Sequence, residues 1–260
     1  MNFTNDSKKI METFIVAFKG FYNKQTPEQQ NIKDKILTDI FYKINRSSID
    51  IGLMNELKLI KTQIKERINK QELSTIELLN SHFNPSHIKK YIYEQVTSRI
   101  SFLTTINNKN ITLDFYLTEK ELINDLSEIK EMAQRLFIVF KYLSGISEKE
   151  CCKTLTISLF RTPFKKVLPK SSHIILGPSH VNTAVTYHCK KNNSIVIFRK
   201  EEMFKTCTHE MLHALGLDWY EMPATKLKEK MKRLYKIKSD MNTPEAYVEF
   251  WGCILNSCFS

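Results

Sequence analysis

The chain has few of the residues that interrupt regular structure. Its 260 residues include only six glycines and seven prolines, whereas 42% are hydrophobic and 26% are charged. This composition is typical of a globular, largely helical protein and excludes a disordered chain. A chain of this length is long enough to bury a substantial core.

The sequence also lacks the segments that send a protein into or across a membrane. No apolar run approaches the length of a membrane span. Glu12 interrupts the apolar stretch near the N-terminus, and no small-residue cleavage site follows it. The six cysteines include no C-x-x-C pair, and their spacing does not predict a disulfide framework. We therefore predict an intracellular, reducing compartment, the cytoplasm.

Acidic residues are in the minority, and the formal net charge is +11. Such a charge favours acidic partners. Much of it lies in residues 226–238, which we predict to form a lysine-rich helix with an apolar stripe made of Leu227, Met231, Leu234 and Ile237. No aromatic interleaving or base-reading module accompanies this segment. An acidic polypeptide is thus a predicted partner, and nucleic acid is left open.

One stretch carries recognisable chemistry, the H-E-x-x-H sequence from His209 to His213. Two histidines four residues apart lie on one face of a helix and can bind the same ion. Neutral imidazoles and a fourth position open to water favour Zn²⁺, so we predict one zinc ion per chain. Glu210 then stands beside the open position as the base that takes a proton from the bound water. The alternative is a core helix with two hydrogen-bonded histidines.

The surroundings of this motif fit a helix packed on a sheet. A strand-like run at 194–198 precedes it, and Gly216 can end the helix in the left-handed conformation. The segment from His209 to Asp218, H-E-M-L-H-A-L-G-L-D, resembles the zinc helix of the zincin metallopeptidases, and its tail is similar to that of the metzincins. Metzincins continue to a third histidine, but Trp219 stands at that position and indole cannot bind zinc.

The third ligand must therefore come from elsewhere. Gluzincins, the zincins that use a glutamate, take it from a later helix, and here Thr243 and Pro244 predict the start of such a helix. Glu249 has the small residue Gly252 three positions on, so we predict Glu249 as the third ligand. Glu245 is the alternative ligand, or a partner that orients a ligand histidine. Asp218, directly after the zinc helix, is a further alternative for either role.

We predict an α+β fold. Periodicity predicts a helical N-terminal region, residues 1–108, and the resemblance, which covers roughly residues 111–260, implies a zincin-like metallopeptidase domain, residues 109–260. In the first region, periodicity predicts helices at 8–22, from 27, at 53–68, and from 85 through 100. In the second, it predicts a strand at 111–117, a capping box at Thr118, and strands at 155–160, 174–176, 181–188 and 195–198.

In the zincin resemblance, the strand before the last one lies along the cleft and pairs with an extended peptide. We assign this role to residues 181–186, so Asn182, Thr183 and Ala184 are predicted to bind substrate. A plain edge strand is the alternative interpretation.

The predicted function is thus a zinc-dependent metallopeptidase acting on a polypeptide, with endopeptidase and carboxypeptidase modes both open. The lysine-, isoleucine- and asparagine-rich composition is also similar to that of zincin-like proteins of large DNA viruses, in which case the compartment is the virion or the host cell. The alternative function is a catalytically inactive zincin-like scaffold that binds an acidic protein or nucleic acid through its basic surface.

Overall fold

The chain divides into two compact units, residues 1–45 and 46–260. The structure, a computed structural model, describes residues 26–259 except 57, 66, 172, 219–224, 237, 239 and 240, and it gives the backbone alone at 234 and 235. The predicted helix at 8–22 lies outside the described residues, as does Trp219. The first described helix, α1, runs from Pro27 to Glu56.

A mixed sheet of six strands forms the centre of the second unit. In chain order the strands are β1 Lys61–Lys65, β2 Ser98–Ile106, β3 Lys109–Leu117, β4 Thr154–Phe160, β5 Ala184–Thr186 and β6 Asn192–Ile197. Across the sheet their order is β1-β2-β3-β4-β6-β5. The three central strands β3, β4 and β6 are parallel, whereas β1, β2 and β5 pair antiparallel with their neighbours.

Helices surround this sheet. They are α2 Lys70–Ser74, α3 Ser86–Gln95, α4 Glu119–Asn124, α5 Leu126–Ile146, α6 Pro178–Val181, α7 Met203–Ala214, α8 Thr225–Tyr235 and α9 Thr243–Cys258, with a 3₁₀ turn at Glu77–Asn80. The predicted α+β class is confirmed. Among the described residues, no helix combines the length and the apolar character that crossing a bilayer requires.

The core lies on both faces of the sheet. On one face Tyr116, Phe160 and Val196 pack with buried leucines and isoleucines of α2, the 3₁₀ turn and α3. Because side chains alternate along a strand, Ile195 and Ile197 point to the other face, where α7 lies against β6. Both isoleucines are fully buried. Burial on both faces explains why the central strands are nearly continuous apolar runs.

The predicted domain boundary at residue 108 is wrong, because it falls in the tight turn of the β2–β3 hairpin. Asn107 and Asn108 have φ of 49° and 58°, and Ile106 pairs directly with Lys109. Two asparagines with positive φ are typical of a two-residue hairpin turn. The zincin resemblance placed the sheet after residue 108, but β1 and β2, which precede this residue, belong to the same sheet.

Two predicted helices end earlier than expected, because the residues after them pair into the sheet. The helix at 53–68 stops at Glu56, and residues 61–65 form β1, an edge strand with every residue exposed. The helix predicted through residue 100 stops at Gln95, because Ile100 and Phe102 are buried in β2. In both cases pairing with a neighbouring strand outweighs the local helical pattern.

Cys151 and Cys189 form a disulfide bond, which corrects the expectation of no disulfide framework. The two cysteines are 38 residues apart in sequence, but they precede the adjacent parallel strands β4 and β6. Parallel neighbours bring together residues that are distant in the chain, so spacing alone does not predict the bond. The compartment stays a prediction.

Removing the disulfide should lower the free energy of unfolding. We expect the Cys151→Ala/Cys189→Ala variant to lose about 2–4 kcal/mol in urea unfolding, because the bond restricts the unfolded chain. Cys258→Ala, which changes a free cysteine in α9, is the control and should unfold as the wild type does. Thiol titration of denatured, unreduced protein should find four of the six cysteines free. Six free thiols would contradict the bond.

Candidate metal centre

Helix α7 carries the H-E-x-x-H motif and ends where the sequence predicted. Gly216 has φ of 64°, its N–H donates to the carbonyl of His213, and the N–H of Leu217 donates to the carbonyl of Leu212. This pair of bonds is the Schellman termination. A Cβ on Gly216 would lie 2.8 Å from the side chain of Lys149 and 3.2 Å from each disulfide sulfur, so only glycine fits.

Three side chains converge beside this helix: His209, His213 and Glu245. Nε2 of His209 lies 3.3 Å from Oε2 of Glu245, and Nε2 of His213 lies 3.3 Å from Oε1 of the same carboxylate. One donor atom from each side chain lies within 4.8 Å of the other two. Two imidazole nitrogens and one carboxylate oxygen can hold a metal ion, and Zn²⁺ accepts this set of donors.

The predicted third ligand, Glu249, is corrected by this geometry. Oε2 of Glu249 lies 3.2 Å from Nδ1 of His209, on the opposite side of the ring from Glu245. Glu245, and not Glu249, therefore lies with His209 and His213 in the group that could hold a metal ion. Glu249 accepts a hydrogen bond from His209 instead.

Asp218 orients the second histidine in the same way. Its buried carboxylate accepts from Nδ1 of His213 at 2.6 Å and contacts Nε2 of His188 at 2.7 Å. Each of the two histidines therefore has a carboxylate on Nδ1, which fixes the ring and leaves Nε2 as the atom that could bind a metal ion. Asp218 thus fits the orienting role that the sequence left open for it, and not that of a ligand.

One buried atom indicates that the site fits a metal ion. Nε2 of His213 is buried and makes no hydrogen bond to any described residue, although the carboxylate of Glu245 lies 3.3 Å away. Buried polar atoms normally have a partner, and a buried nitrogen without one needs an explanation. A cation between His209, His213 and Glu245 would satisfy it.

The charges of the site favour a cation as well. Burial opposes protonation of His213, but the carboxylates of Asp218 and Glu245 outweigh it and raise the pKa of His213 to about 10. The two histidines hold the pKa of Glu245 well below its usual value. Burial raises the pKa of Glu210, which the two histidines partly offset. Several carboxyl groups therefore surround two imidazoles, an arrangement that attracts positive charge.

The glutamates reach α7 because α9 packs closely on it. Gly252 in α9 lies against His209, and a Cβ added to Gly252 would be 3.6 Å from the His209 Cβ. Glu245, Glu249 and Gly252 stand four and three residues apart, so they share one helix face. Gly252 thus permits the close approach of α9 to α7 that the sequence predicted. This approach brings both Glu245 and Glu249 to His209.

The candidate site opens into a cleft of about 590 Å³ that Glu210 also lines. The residues predicted to bind substrate, Asn182, Thr183 and Ala184, line the same cleft. Their role in binding stays a prediction. They lie beside α7 because β5 is at the edge of the sheet, next to β6, and contacts α7.

The edge strand itself is shorter than predicted. Only Ala184–Thr186 pair with β6, because residues 178–181 form the short helix α6. Asn182 is held at the end of that helix: its side chain donates to the carbonyl of Phe83, and its own carbonyl accepts from Arg199. No strand forms at the predicted 174–176, where Ile175 is 90% exposed.

Sequence reasoning missed two residues of the site, His188 and Lys205. His188 contacts the carboxylate of Asp218, and Nζ of Lys205 lies 2.6 Å from Oε1 of Glu249. Lys205 stands four residues before His209 in α7, so its place on the same helix face was a signal in the sequence. His188 had no such signal, because the sheet brings it to Asp218.

The predicted basic helix is present as α8, Thr225–Tyr235. Its predicted apolar stripe is only partly described, because Ile237 and the side chain of Leu234 lie outside the described residues. Leu227 is 37% exposed, whereas Met231 is half-buried. Acidic partners for this helix stay a prediction.

Substitutions at Gly252 test the close packing of α9 on α7. Gly252→Ala places a methyl group at ordinary contact distance from His209, so we expect the free energy of unfolding to stay equal or rise by up to about 1 kcal/mol. Gly252→Leu should lower it by about 1–3 kcal/mol through overpacking and weaken metal binding. Urea unfolding and zinc titration measure both. Equal zinc affinity in the two variants would contradict the packing argument.

Comparison of the chain with protein-family models, with curated proteins and with solved structures gave no match. The resemblance of the H-E-x-x-H segment to zincins is therefore carried by the motif residues alone. The support for a metal site comes from the geometry of His209, His213 and Glu245 within this chain.

Proposed function

We propose that the protein is a zinc-dependent metallopeptidase. The observation that carries the proposal is the convergence of His209, His213 and Glu245 in a cleft that Glu210 also lines. H-E-x-x-H supplies two ligands and a base on adjacent faces of one helix turn, and the third ligand comes from a second helix. This division of roles is what hydrolysis of a peptide bond by a metal-activated water requires.

His209, His213 and Glu245 would hold the ion, and Zn²⁺ bound there would supply a Lewis acid for the activation of water and of the peptide carbonyl. His209 and His213 offer Nε2 because their Nδ1 atoms are bound by Glu249 and Asp218. Glu245 adds one negative charge to the two neutral imidazoles, so a divalent ion held by this donor set would keep a net positive charge.

Glu210 acts as the general base and then as the general acid. It accepts a proton from the attacking water and passes it to the leaving amine. Its burial raises its affinity for that proton, but its assignment rests on its position in the motif and in the cleft. The other carboxylates among the described residues that line the cleft lie outside the H-E-x-x-H motif. Each of them contacts a histidine or lysine side chain.

The substrate in this proposal is an extended polypeptide. Strand β5 is at the edge of the sheet and lines the cleft, so its outer side faces no other described strand. An extended peptide can pair with such an edge by β-strand addition. The cleaved peptides identified below would show whether the substrate is acidic. They would also distinguish an endopeptidase from a carboxypeptidase.

A library of proteome-derived peptides, with products identified by mass spectrometry, tests the activity. We expect the zinc-loaded wild type to cleave a subset of peptides, and Glu210→Gln to lower the rate by about 10²–10⁴-fold or more, because no other group takes the proton. Glu201→Gln, a glutamate on the loop before α7, is the matched control and should retain activity. Equal cleavage by wild type and Glu210→Gln would contradict the mechanism.

If the wild type binds zinc but cleaves no peptide, the alternative of a zincin-like scaffold is favoured. Binding of acidic polypeptides or nucleic acid, unchanged in Glu210→Gln, would then identify its role. A protein that binds no zinc after reconstitution would overturn both the peptidase and the metal centre.

Zinc content distinguishes the two glutamates. We expect elemental mass spectrometry to find about one zinc per wild-type chain, and almost none in His213→Ala or Glu245→Ala, since each loses a ligand. Glu249→Ala should retain zinc at high concentration with an affinity about 10–100-fold lower, because only the orienting hydrogen bond is lost. Loss of zinc in Glu249→Ala with retention in Glu245→Ala would reverse the assignment.

A further inference from the structure

A series of polar contacts leads from His209 through Glu249 to Lys205, which lies in the same helix as His209. Oε2 of Glu249 contacts Nδ1 of His209 at 3.2 Å, and Oε1 of the same carboxylate contacts Nζ of Lys205 at 2.6 Å. Lys205 and His209 are four residues apart in α7 and so lie one above the other. One carboxylate from α9 therefore bridges a lysine and a metal-binding histidine of α7.

We propose that Lys205 is a positioning residue for the metal centre. It holds the carboxylate of Glu249 in the rotamer that binds Nδ1 of His209, and through it fixes the direction of the His209 donor atom. This inference rests on the metal site of the proposed function, and it assigns Lys205 no contact with metal or substrate.

The need for such an anchor follows from the exposure of Glu249. Its side chain is 50% exposed, so water competes for its carboxylate. The side chain of Asp218, which has the corresponding role at His213, is fully buried and also contacts His188. The Lys205 side chain is only 19% exposed, and a partly desolvated ion pair is stronger and less screened than one at the surface. Lys205 thus supplies the restraint that burial supplies at Asp218.

A second lysine in the same cleft provides a matched comparison. Lys166 also lines the cleft and also pairs with a glutamate, Glu202. Glu202 also lies 3.8 Å from Nζ of Lys205. Among the described contacts, however, neither Lys166 nor Glu202 touches a metal-binding histidine or Glu249. Loss of Lys166 removes the same charge and the same kind of ion pair without touching Glu249.

The test is a double-mutant cycle on zinc affinity, measured by competition with a chromophoric chelator. We expect Lys205→Met to weaken zinc binding about tenfold, the low end of effects of outer partners of ligand histidines. Lys205→Arg should restore most of the affinity, because it keeps the ion pair. Lys166→Met should bind as the wild type does. Circular dichroism confirms that each variant is folded.

The cycle separates positioning from a general structural role. In the Glu249→Gln background, Lys205→Met should cause no further loss, since Lys205 acts only through that carboxylate. Additive losses, or equal affinities for Lys205→Met and Lys166→Met, would overturn the proposal. Because the readout is zinc affinity, an absence of peptide hydrolysis would overturn the proposed function and leave this inference intact.

Discussion

The close packing of α9 on α7 is the contact on which the candidate metal centre depends. Gly252 lets the backbone of α9 approach His209, and from that distance both Glu245 and Glu249 reach the same imidazole from opposite sides. A larger side chain at this position would move both carboxylates together. The site is thus a property of the interface between two helices and cannot be formed by α7 alone.

The other end of α7 is held as firmly, by groups from three separate segments. The carbonyls of His213, Ala214 and Leu215 accept from the N–H of Cys189, the thiol of Cys152 and the hydroxyl of Ser147. Helix ends leave such carbonyls without partners inside the helix. The Cys151–Cys189 disulfide links two of these segments. His213 is therefore carried on a helix end that the surrounding loops restrain.

Much of the second half of the fold could be predicted from the sequence, because its signals are local. The capping box of Thr118 and Glu121, the strands β3 and β4, and the end of α7 at Gly216 are confirmed. The first half was predicted less well. Strand β1 has no apolar alternation and exists because β2 pairs with it, and the Cys151–Cys189 bond exists because β4 and β6 are neighbours.

The sequence alone determined which residues of α7 can do chemistry, since two histidines four apart share a helix face whatever surrounds them. It also placed the two main candidates for the third ligand, Glu245 and Glu249, on one face of α9. Only the tertiary structure decided that Glu245 joins His209 and His213 while Glu249 turns to Lys205. The two glutamates are one helical turn apart, and the height at which α9 crosses α7, which no local pattern encodes, selects between them.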